Sequence, residues 1–150
     1  MTESQSLLAH RISAVAADIH RVSRAAYTHE ANLLGVTEFP PLEETTIDIR
    51  RSNNQFFGIH DGDLLVALIE LEQEGDYLLI ARLVVTPEYH RRGLASRLVK
   101  GIVDARVKSV RVTTATGNQP AMALYHRFGF VTETVEIVTE GMALVTLALD

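Results

Sequence analysis

The chain of 150 residues contains no cysteine. This excludes disulfide bonds, thiolate metal sites and a cysteine nucleophile, and it leaves the redox compartment unspecified. Residues 1–6 are polar and lack a basic segment followed by an apolar one, so we predict no signal peptide. No apolar run approaches the roughly 18 residues that a membrane-spanning helix needs. We therefore expect a cytoplasmic protein that has no membrane partner.

Several other patterns are missing. The chain has no repeats, low-complexity segments or linkers, and 47% of its residues are hydrophobic, so we predict one compact domain over residues 1–150. No Gly-x-Ser-x-Gly motif is present, which removes support for a hydrolase of that type. The histidines lack the spacing with carboxylates that is typical of metal ligands, so we predict no metal site.

Charge is unevenly distributed along the chain. The formal net charge is −5, yet basic residues cluster in one short segment, at Arg91, Arg92, Arg97 and Lys100. Binding to duplex phosphates usually needs a broader basic face, so we predict no nucleic-acid partner. The cluster fits a single phosphorylated small molecule better.

Hydrophobic periodicity predicts alternating strands and helices. We predict one helix with Ser13 as its N-cap, and three more at about Leu42–Arg51, Gly93–Arg106 and Pro120–Phe128. The predicted strands are 7–12, 55–60, 64–70, 77–85, 110–114, 131–138 and 142–149, with the last two joined around Glu140-Gly141. The predicted fold class is α/β, more closely an α+β mixed sheet of about seven strands with helices on both faces.

A basic turn follows the apolar strand that ends at Val85. It reads His90-Arg91-Arg92-Gly93-Leu94-Ala95-Ser96 and leads into a predicted helix. The first backbone N–H groups of a helix have no partner within the helix, and they lie at the positive end of its dipole. Such a turn binds a phosphate or pyrophosphate, and a glycine lets the backbone approach it closely. The alternative is an ordinary strand–helix corner with two solvated arginines.

A second segment lies further along the chain and reads Asn118-Gln119-Pro120-Ala121-Met122-Ala123-Leu124-Tyr125-His126-Arg127-Phe128-Gly129-Phe130. Together the two segments resemble the GNAT (Gcn5-related N-acetyltransferase) superfamily. The first matches its Gln/Arg-x-x-Gly-x-Gly/Ala pattern except that His90 stands at the first position. The second matches the Asn-x-x-Ala-x-x-x-Tyr-x-x-x-Gly-Phe pattern at every fixed position.

The resemblance implies that acetyl-CoA lies as co-substrate between the strands that end near Val85 and Thr114. The backbone of one strand would pair with the pantetheine amides, and the turn would receive the pyrophosphate. The implied cofactor-binding residues are Leu83, Val84, Val85, His90, Arg91, Arg92, Gly93, Leu94, Ala95, Ser96, Asn118, Ala121 and Tyr125. Asn118 has a second reading as a helix N-cap, and the two roles are compatible.

The resemblance also implies catalytic roles. Tyr125 would be the general acid that protonates the departing thiolate, and the alternative is a helix aromatic packed on the core. The positions where family members carry a glutamate base hold Leu79 and Thr113 here. We predict Glu70 as the base, with Glu72, His60 or a water chain as alternatives. In the family, the region 27–51 shapes the acceptor pocket.

These expectations predict an acetyl-CoA-dependent N-acetyltransferase. It would move an acetyl group to a primary amine of a small molecule, peptide or protein by direct attack in a ternary complex. The alternative is a non-catalytic acyl-CoA-binding or sensing domain of the same fold. The closing hairpin, residues 131–149, is rich in β-branched residues, so it either pairs with a second copy in a homodimer or completes the core of the monomer.

Overall fold

The computed structural model describes residues 5–139 and 142–150. The turn predicted around Glu140-Gly141 lies outside the described residues, as do the first four residues of the polar N-terminus. Within the described residues the helices are α1 (Ser13–Leu34), α2 (Thr46–Arg51), α3 (Leu94–Ala105) and α4 (Gln119–Arg127). The strands are β1 (Ser6–Leu7), β2 (Gln55–Asp61), β3 (Leu64–Glu74), β4 (Tyr77–Val85), β5 (Ser109–Ala115), β6 (Val131–Thr139) and β7 (Met142–Leu149).

The strands form one seven-stranded sheet in the order β1-β2-β3-β4-β5-β7-β6. Neighbouring strands run antiparallel except β4 and β5, which are parallel and joined through α3. This arrangement confirms the predicted mixed sheet.

The parallel pair is short. Its pairing runs from Tyr77 opposite Ser109 to Ile80 opposite Val112. Because β4 continues to Val85 and β5 to Ala115, the two strands separate beyond these residues and leave a V-shaped opening in the middle of the sheet.

The helices cover both faces of the sheet, as predicted. On one face α1 and α2 pack against the strands through apolar residues, which include Ala16, Ile19, Val22 and Ile49. On the other face α3 and α4 do the same through Leu94, Leu98, Val99, Ile102, Leu124 and Tyr125. The sheet is therefore buried on both sides, which explains the nearly continuous apolar runs of β3 and β4. No helix within the described residues is both long enough and apolar enough to cross a bilayer.

The start of the second helix differs from the prediction. Residues Pro40–Glu43 form a separate 3₁₀ turn, and α2 begins only at Thr46. Thr45 is its N-cap: the Asp48 backbone donates to Thr45 Oγ1 (3.2 Å), and the Thr45 backbone donates to Asp48 Oδ2 (2.8 Å). This reciprocal capping box sets the helix start, and its hydrogen bonds hold the pKa of Asp48 below its usual range.

Two other boundaries differ as well. The predicted N-cap, Ser13, is the first residue of α1, and Ile12 precedes it without a side-chain cap. The first strand covers only Ser6–Leu7 rather than residues 7–12.

Candidate functional site

A cleft of about 590 Å³ opens where β4 and β5 separate. Its walls come from α1 on one face of the sheet, α4 on the other, the end of β4, and the loop that leads into α3. It is lined by nearly all of the predicted cofactor-binding residues: Leu83, Val84, Val85, His90, Arg91, Gly93, Leu94, Ala95, Ser96, Asn118, Ala121 and Tyr125. The volume is in the range of ordinary small-molecule sites.

The edge of β4 supplies backbone groups to this cleft. The Thr86 N–H donates to Val66 O on β3 (2.9 Å), so the backbone groups of Val85 face the opposite edge, towards the opening. Leu83 lies two residues earlier and has the same orientation. The Val85 carbonyl is reached by His90, whose Nε2 donates to it at 3.2 Å. The edge can therefore pair with the amides of an extended ligand.

The loop between β4 and α3 has the geometry of an anion site. Arg91 has φ +64° and Gly93 has φ +76°, so two residues close together adopt the left-handed conformation. The first backbone hydrogen bond of α3 runs from Arg97 N to Gly93 O (3.0 Å). The N–H groups of Leu94, Ala95 and Ser96 thus lie before the first helical hydrogen bond and point out of the helix end.

Arg92 is the one predicted cofactor residue that the cleft lining leaves out. Its guanidinium lies 4.4 Å from the centre of the Tyr89 ring. The Tyr89 hydroxyl in turn donates to Asp61 Oδ2 at 2.5 Å. These contacts fix the outer side of the loop, while Arg91 faces the cleft.

Helix α4 places Asn118 and Tyr125 on the opposite wall. Asn118 is the N-cap, as the alternative reading predicted, and its Oδ1 accepts from the Ala121 backbone at 3.3 Å. Gly129, with φ +90°, ends the helix, so α4 is fixed at both of its ends.

Tyr125 lies two helical turns after Asn118. It is 3% exposed and packs against Phe130, with 5.4 Å between the ring centres. Burial, and to a lesser extent the charge of Glu30, raise the pKa of the Tyr125 hydroxyl above its usual value, so the phenol stays protonated at neutral pH.

Glu30 is a site residue that the motifs do not point to. It lies on α1, half-buried, and lines the cleft together with Ala26 and Leu33. Burial raises the pKa of its carboxyl group, and the Asn118 side chain lowers it in part. The sequence did contain one signal for Glu30. The apolar stripe of α1 reaches Ala26, and Glu30 follows four residues later on the same, buried face of the helix.

Glu70, the predicted base, is placed elsewhere. Its Oε1 accepts from Arg82 Nε at 2.8 Å, and its Oε2 accepts from Asn54 Nδ2 at 2.8 Å. It is 7% exposed and does not belong to the lining of the cleft. Both carboxylate oxygens of Glu70 are therefore occupied by donors away from the cleft, and its role as the base stays a prediction. The alternatives Glu72 and His60 are also outside the cleft lining.

The cleft combines a strand edge without a strand partner, a loop with the geometry of an anion site, and a buried phenol. A comparison of the sequence with known protein families gives a consistent result. Residues 24–150 match the family model described as "Acetyltransferase (GNAT) domain". The chain belongs to the GNAT acetyltransferase family.

A sequence relative and two solved structures show what this chain is similar to. The "UPF0157 protein YqkA" of Bacillus subtilis (strain 168) is 32% identical over 139 residues, which make up 91% of this chain and 40% of that protein. This GNAT chain therefore spans well under half the length of that relative.

Two solved structures share the fold. One is the ribosomal-protein-S18-alanine N-acetyltransferase of Escherichia coli (18% identity, 97% of this chain and 92% of that one, TM-score 0.75). The other is the PaiA N-acetyltransferase of Thermoplasma acidophilum in complex with coenzyme A (15% identity, 95% of this chain and 98% of that one, TM-score 0.71). At these identities the likeness concerns the GNAT fold alone.

Proposed function

We propose that this protein is an acetyl-CoA-dependent N-acetyltransferase that moves an acetyl group to a primary amine by direct attack in a ternary complex. The observation that carries the proposal is the position of Tyr125. Its buried, protonated phenol lies in the same cleft as the anion loop and the free edge of β4. A site that only held the cofactor would have no need of a proton donor there.

In this proposal acetyl-CoA lies in the cleft in one orientation, with its pyrophosphate at the loop before α3 and its thioester in the opening of the sheet. Its pyrophosphate would lie against the N–H groups of Leu94, Ala95 and Ser96, with Arg91 adding positive charge. The pantetheine arm would then run along β4, where the backbone of Leu83 and Val85 replaces a strand partner. This orientation carries the thioester into the opening of the sheet and towards Tyr125. His90 gives up its hydrogen bond with the Val85 carbonyl when the pantetheine takes that place.

The chemistry requires a neutral amine and a protonated leaving group. The amine nitrogen attacks the carbonyl carbon of the thioester and forms a tetrahedral intermediate. The C–S bond then breaks, and Tyr125 gives its proton to the thiolate as coenzyme A leaves. The nitrogen loses its extra proton, which restores the phenol directly or through water. The overall reaction releases one proton for each ammonium group acetylated.

In this proposal the end of α1, with Tyr27, and the segment between α1 and α2 form the acceptor side. Tyr27 and Phe39 pack edge to face with 6.1 Å between ring centres, and burial raises the pKa of Tyr27 to about 12. Arg82 anchors the same segment to the sheet through Glu44. The apolar and aromatic character of these residues suits an amine on an apolar body. That body belongs to a small molecule or to the end or side chain of a peptide.

Two measurements test the proposal. Titration calorimetry with acetyl-CoA establishes binding, and dephospho-CoA should keep most of that affinity while free pantetheine should bind far more weakly. A thiol-release assay over a panel of alkylamines, lysine peptides and N-terminal peptides establishes turnover. Binding without thiol release from any acceptor would favour the non-catalytic acyl-CoA-binding domain. The lack of a titrating side chain at Leu79 and Thr113 is the feature that makes this second outcome worth testing.

A further inference from the structure

We propose that Glu30 holds the acceptor: its carboxylate binds the ammonium group of a protonated amine in the cleft and takes the first proton from it. The substrate class is therefore a cationic primary alkylamine rather than an alcohol or a neutral arylamine. This inference rests on the proposed function and adds to it the residue that selects and activates the amine.

The position of Glu30 supports this role. Helix α1 covers one face of the sheet and α4 the other, and both line the cleft, so Glu30 and Tyr125 meet the same opening from opposite faces. The charge of Glu30 also contributes, after burial, to raising the pKa of the Tyr125 hydroxyl. An amine held at Glu30 therefore lies on the side of the thioester that faces away from α4.

Asn118 lines the same cleft as Glu30, on the wall formed by α4. Its Oδ1 accepts from the backbone of Ala121, and its side chain lowers the pKa of the Glu30 carboxyl group in part. The Glu30 carboxylate is an acceptor with several lone pairs, so it can receive the N–H groups of an incoming ammonium group.

Charge complementarity narrows the choice of ligand. Among the described residues that line the cleft, Glu30 is the one carboxylate. The other charged and titratable groups of the lining are His29 on its own helix, Tyr89, His90 and Arg91 on the loop, and Tyr125 and Arg127 on α4. The basic groups of the loop suit the phosphates of the cofactor. A cationic acceptor has its favourable contact only at Glu30, and Ala26 and Leu33 beside it suit an alkyl chain.

Burial lowers the cost of the proton transfer at this position. Deprotonating a lysine-like amine at pH 7 in water costs about 4–5 kcal/mol. Burial raises the pKa of Glu30, so its carboxylate is a stronger base than an exposed glutamate, and burial also weakens the hold of the amine on its proton. The ammonium group gives one proton to Glu30, the neutral amine attacks, and Glu30 releases that proton to solvent before the next turnover. Glu70, by contrast, pairs with Arg82 and lies outside the cleft lining.

The experiment compares Glu30→Gln with the wild-type protein and with Asp76→Asn, which removes a carboxylate charge at an exposed position in the turn between β3 and β4, outside the cleft lining. With an alkylamine at pH 7, we expect kcat/KM of Glu30→Gln to fall about 10²–10⁴-fold, while acetyl-CoA affinity and the melting temperature stay near those of wild type. Asp76→Asn should match wild type in all three measurements.

The pH profile separates proton transfer from a merely structural role. The wild-type rate should rise as Glu30 loses its proton, at a pH above the usual glutamate range. Glu30→Gln should lack that rise and recover activity only as the free amine forms, near pH 10 for a lysine-like acceptor. The wild-type protein should also prefer an alkylamine to an arylamine at pH 7, and this preference should disappear in Glu30→Gln.

The outcomes are distinct. If the wild-type protein releases no thiol with any amine, the proposed function itself fails. If it is active and Glu30→Gln keeps its kcat/KM and pH profile, the role of Glu30 is wrong while the function stands. Loss of acetyl-CoA affinity in Glu30→Gln would also overturn the assignment, because it would make Glu30 part of the cofactor site. Glu30→Asp, which keeps the charge, should retain more activity than Glu30→Gln at pH 7.

Discussion

Arg82 of β4 and Glu44, in the loop ahead of α2, are joined by two hydrogen bonds of 2.8 and 2.5 Å. The same guanidinium donates to Glu70 on β3 and to Ser23 on α1. Arg82 is 8% exposed, so the network is buried. It connects the loop on the proposed acceptor side to β4, the strand that lines the cleft. It thereby fixes the position of that loop.

We expect this network to matter for stability. Arg82→Met fills a similar volume but leaves two carboxylates without their cation, which should lower the free energy of unfolding by about 3–5 kcal/mol. The control is Lys100→Met, because Lys100 and Asp104 form an exposed pair at 2.6 Å whose loss should cost less than about 1 kcal/mol. Urea unfolding followed by circular dichroism measures both. Equal stability of the two variants would contradict the importance of the network.

Gly93 should be essential for cofactor binding. A Cβ atom built at Gly93 meets no protein atom within 4 Å, so Gly93→Val would obstruct only an incoming ligand, apart from the strain of φ +76°. We expect acetyl-CoA affinity to be lost in titration calorimetry. Gly62 offers a matched control, since it has φ +60° and equally open surroundings in the turn between β2 and β3.

Both variants should lose about 1–3 kcal/mol of stability through backbone strain. Only Gly93→Val should lose the cofactor, and normal affinity in a folded Gly93→Val protein would remove the basis for placing the pyrophosphate there. Weak binding in Gly62→Val as well would point to a general effect of strain.

The strands and the position of the loop at residues 90–96 were largely predictable, because their signals are local in the sequence. The strands Tyr77–Val85 and Met142–Leu149 have the predicted bounds, and the α3 helix differs by one residue at each end. Apolar runs bounded by glycine turns determine such elements without reference to the rest of the chain. The loop residues were identified in the same way, from a contiguous motif.

Contacts between distant segments were not predictable. Glu30 lines the cleft because α1 packs beside the opening between β4 and β5, and the apolar stripe of α1 indicates a buried face but not which cleft that face meets. The pairing of Glu70 with Arg82 likewise depends on the register between β3 and β4, where the two residues are opposite each other. The start of α2 was missed because the prediction extended the helix back to Leu42 and overlooked the capping pair of Thr45 and Asp48.

The exposed strand β6 predicts self-association. It lies at one edge of the sheet, and its Val131, Val135 and Ile137 side chains are 63%, 60% and 79% exposed. The neighbouring β7 completes the core through Val145 and Leu147, so β6 is the part of the hairpin left for a second copy.

We therefore expect a homodimeric mass by light scattering at micromolar concentration. The double variant Val135→Lys with Ile137→Lys should be monomeric, because lysine on an edge strand opposes pairing. Val107→Lys changes an apolar residue that is 98% exposed in the loop before β5, and it should leave the dimer intact. A monomeric wild-type protein would favour the alternative, in which the hairpin only completes its own core.

Tyr125→Phe separates catalysis from binding. The substitution keeps the ring that packs on Phe130 and removes only the hydroxyl, so acetyl-CoA affinity and the melting temperature should change little. Turnover should fall about 10²–10⁴-fold, as expected when a positioned proton donor is lost. Tyr77→Phe removes a hydroxyl outside the cleft lining and should leave turnover unchanged.

The pH dependence of turnover provides a second comparison between Tyr125→Phe and wild type. Because the pKa of Tyr125 is raised by burial, the donor keeps its proton as the pH rises through the usual tyrosine value near 10, so the deficit of Tyr125→Phe should persist over that whole range. A smaller deficit is expected where amine deprotonation or product release limits the rate, and single-turnover measurements of thiol release would then recover the full effect. If Tyr125→Phe instead equals wild type in single turnovers at every pH, the phenol is a packing residue. The thiolate must then take its proton from water in the cleft.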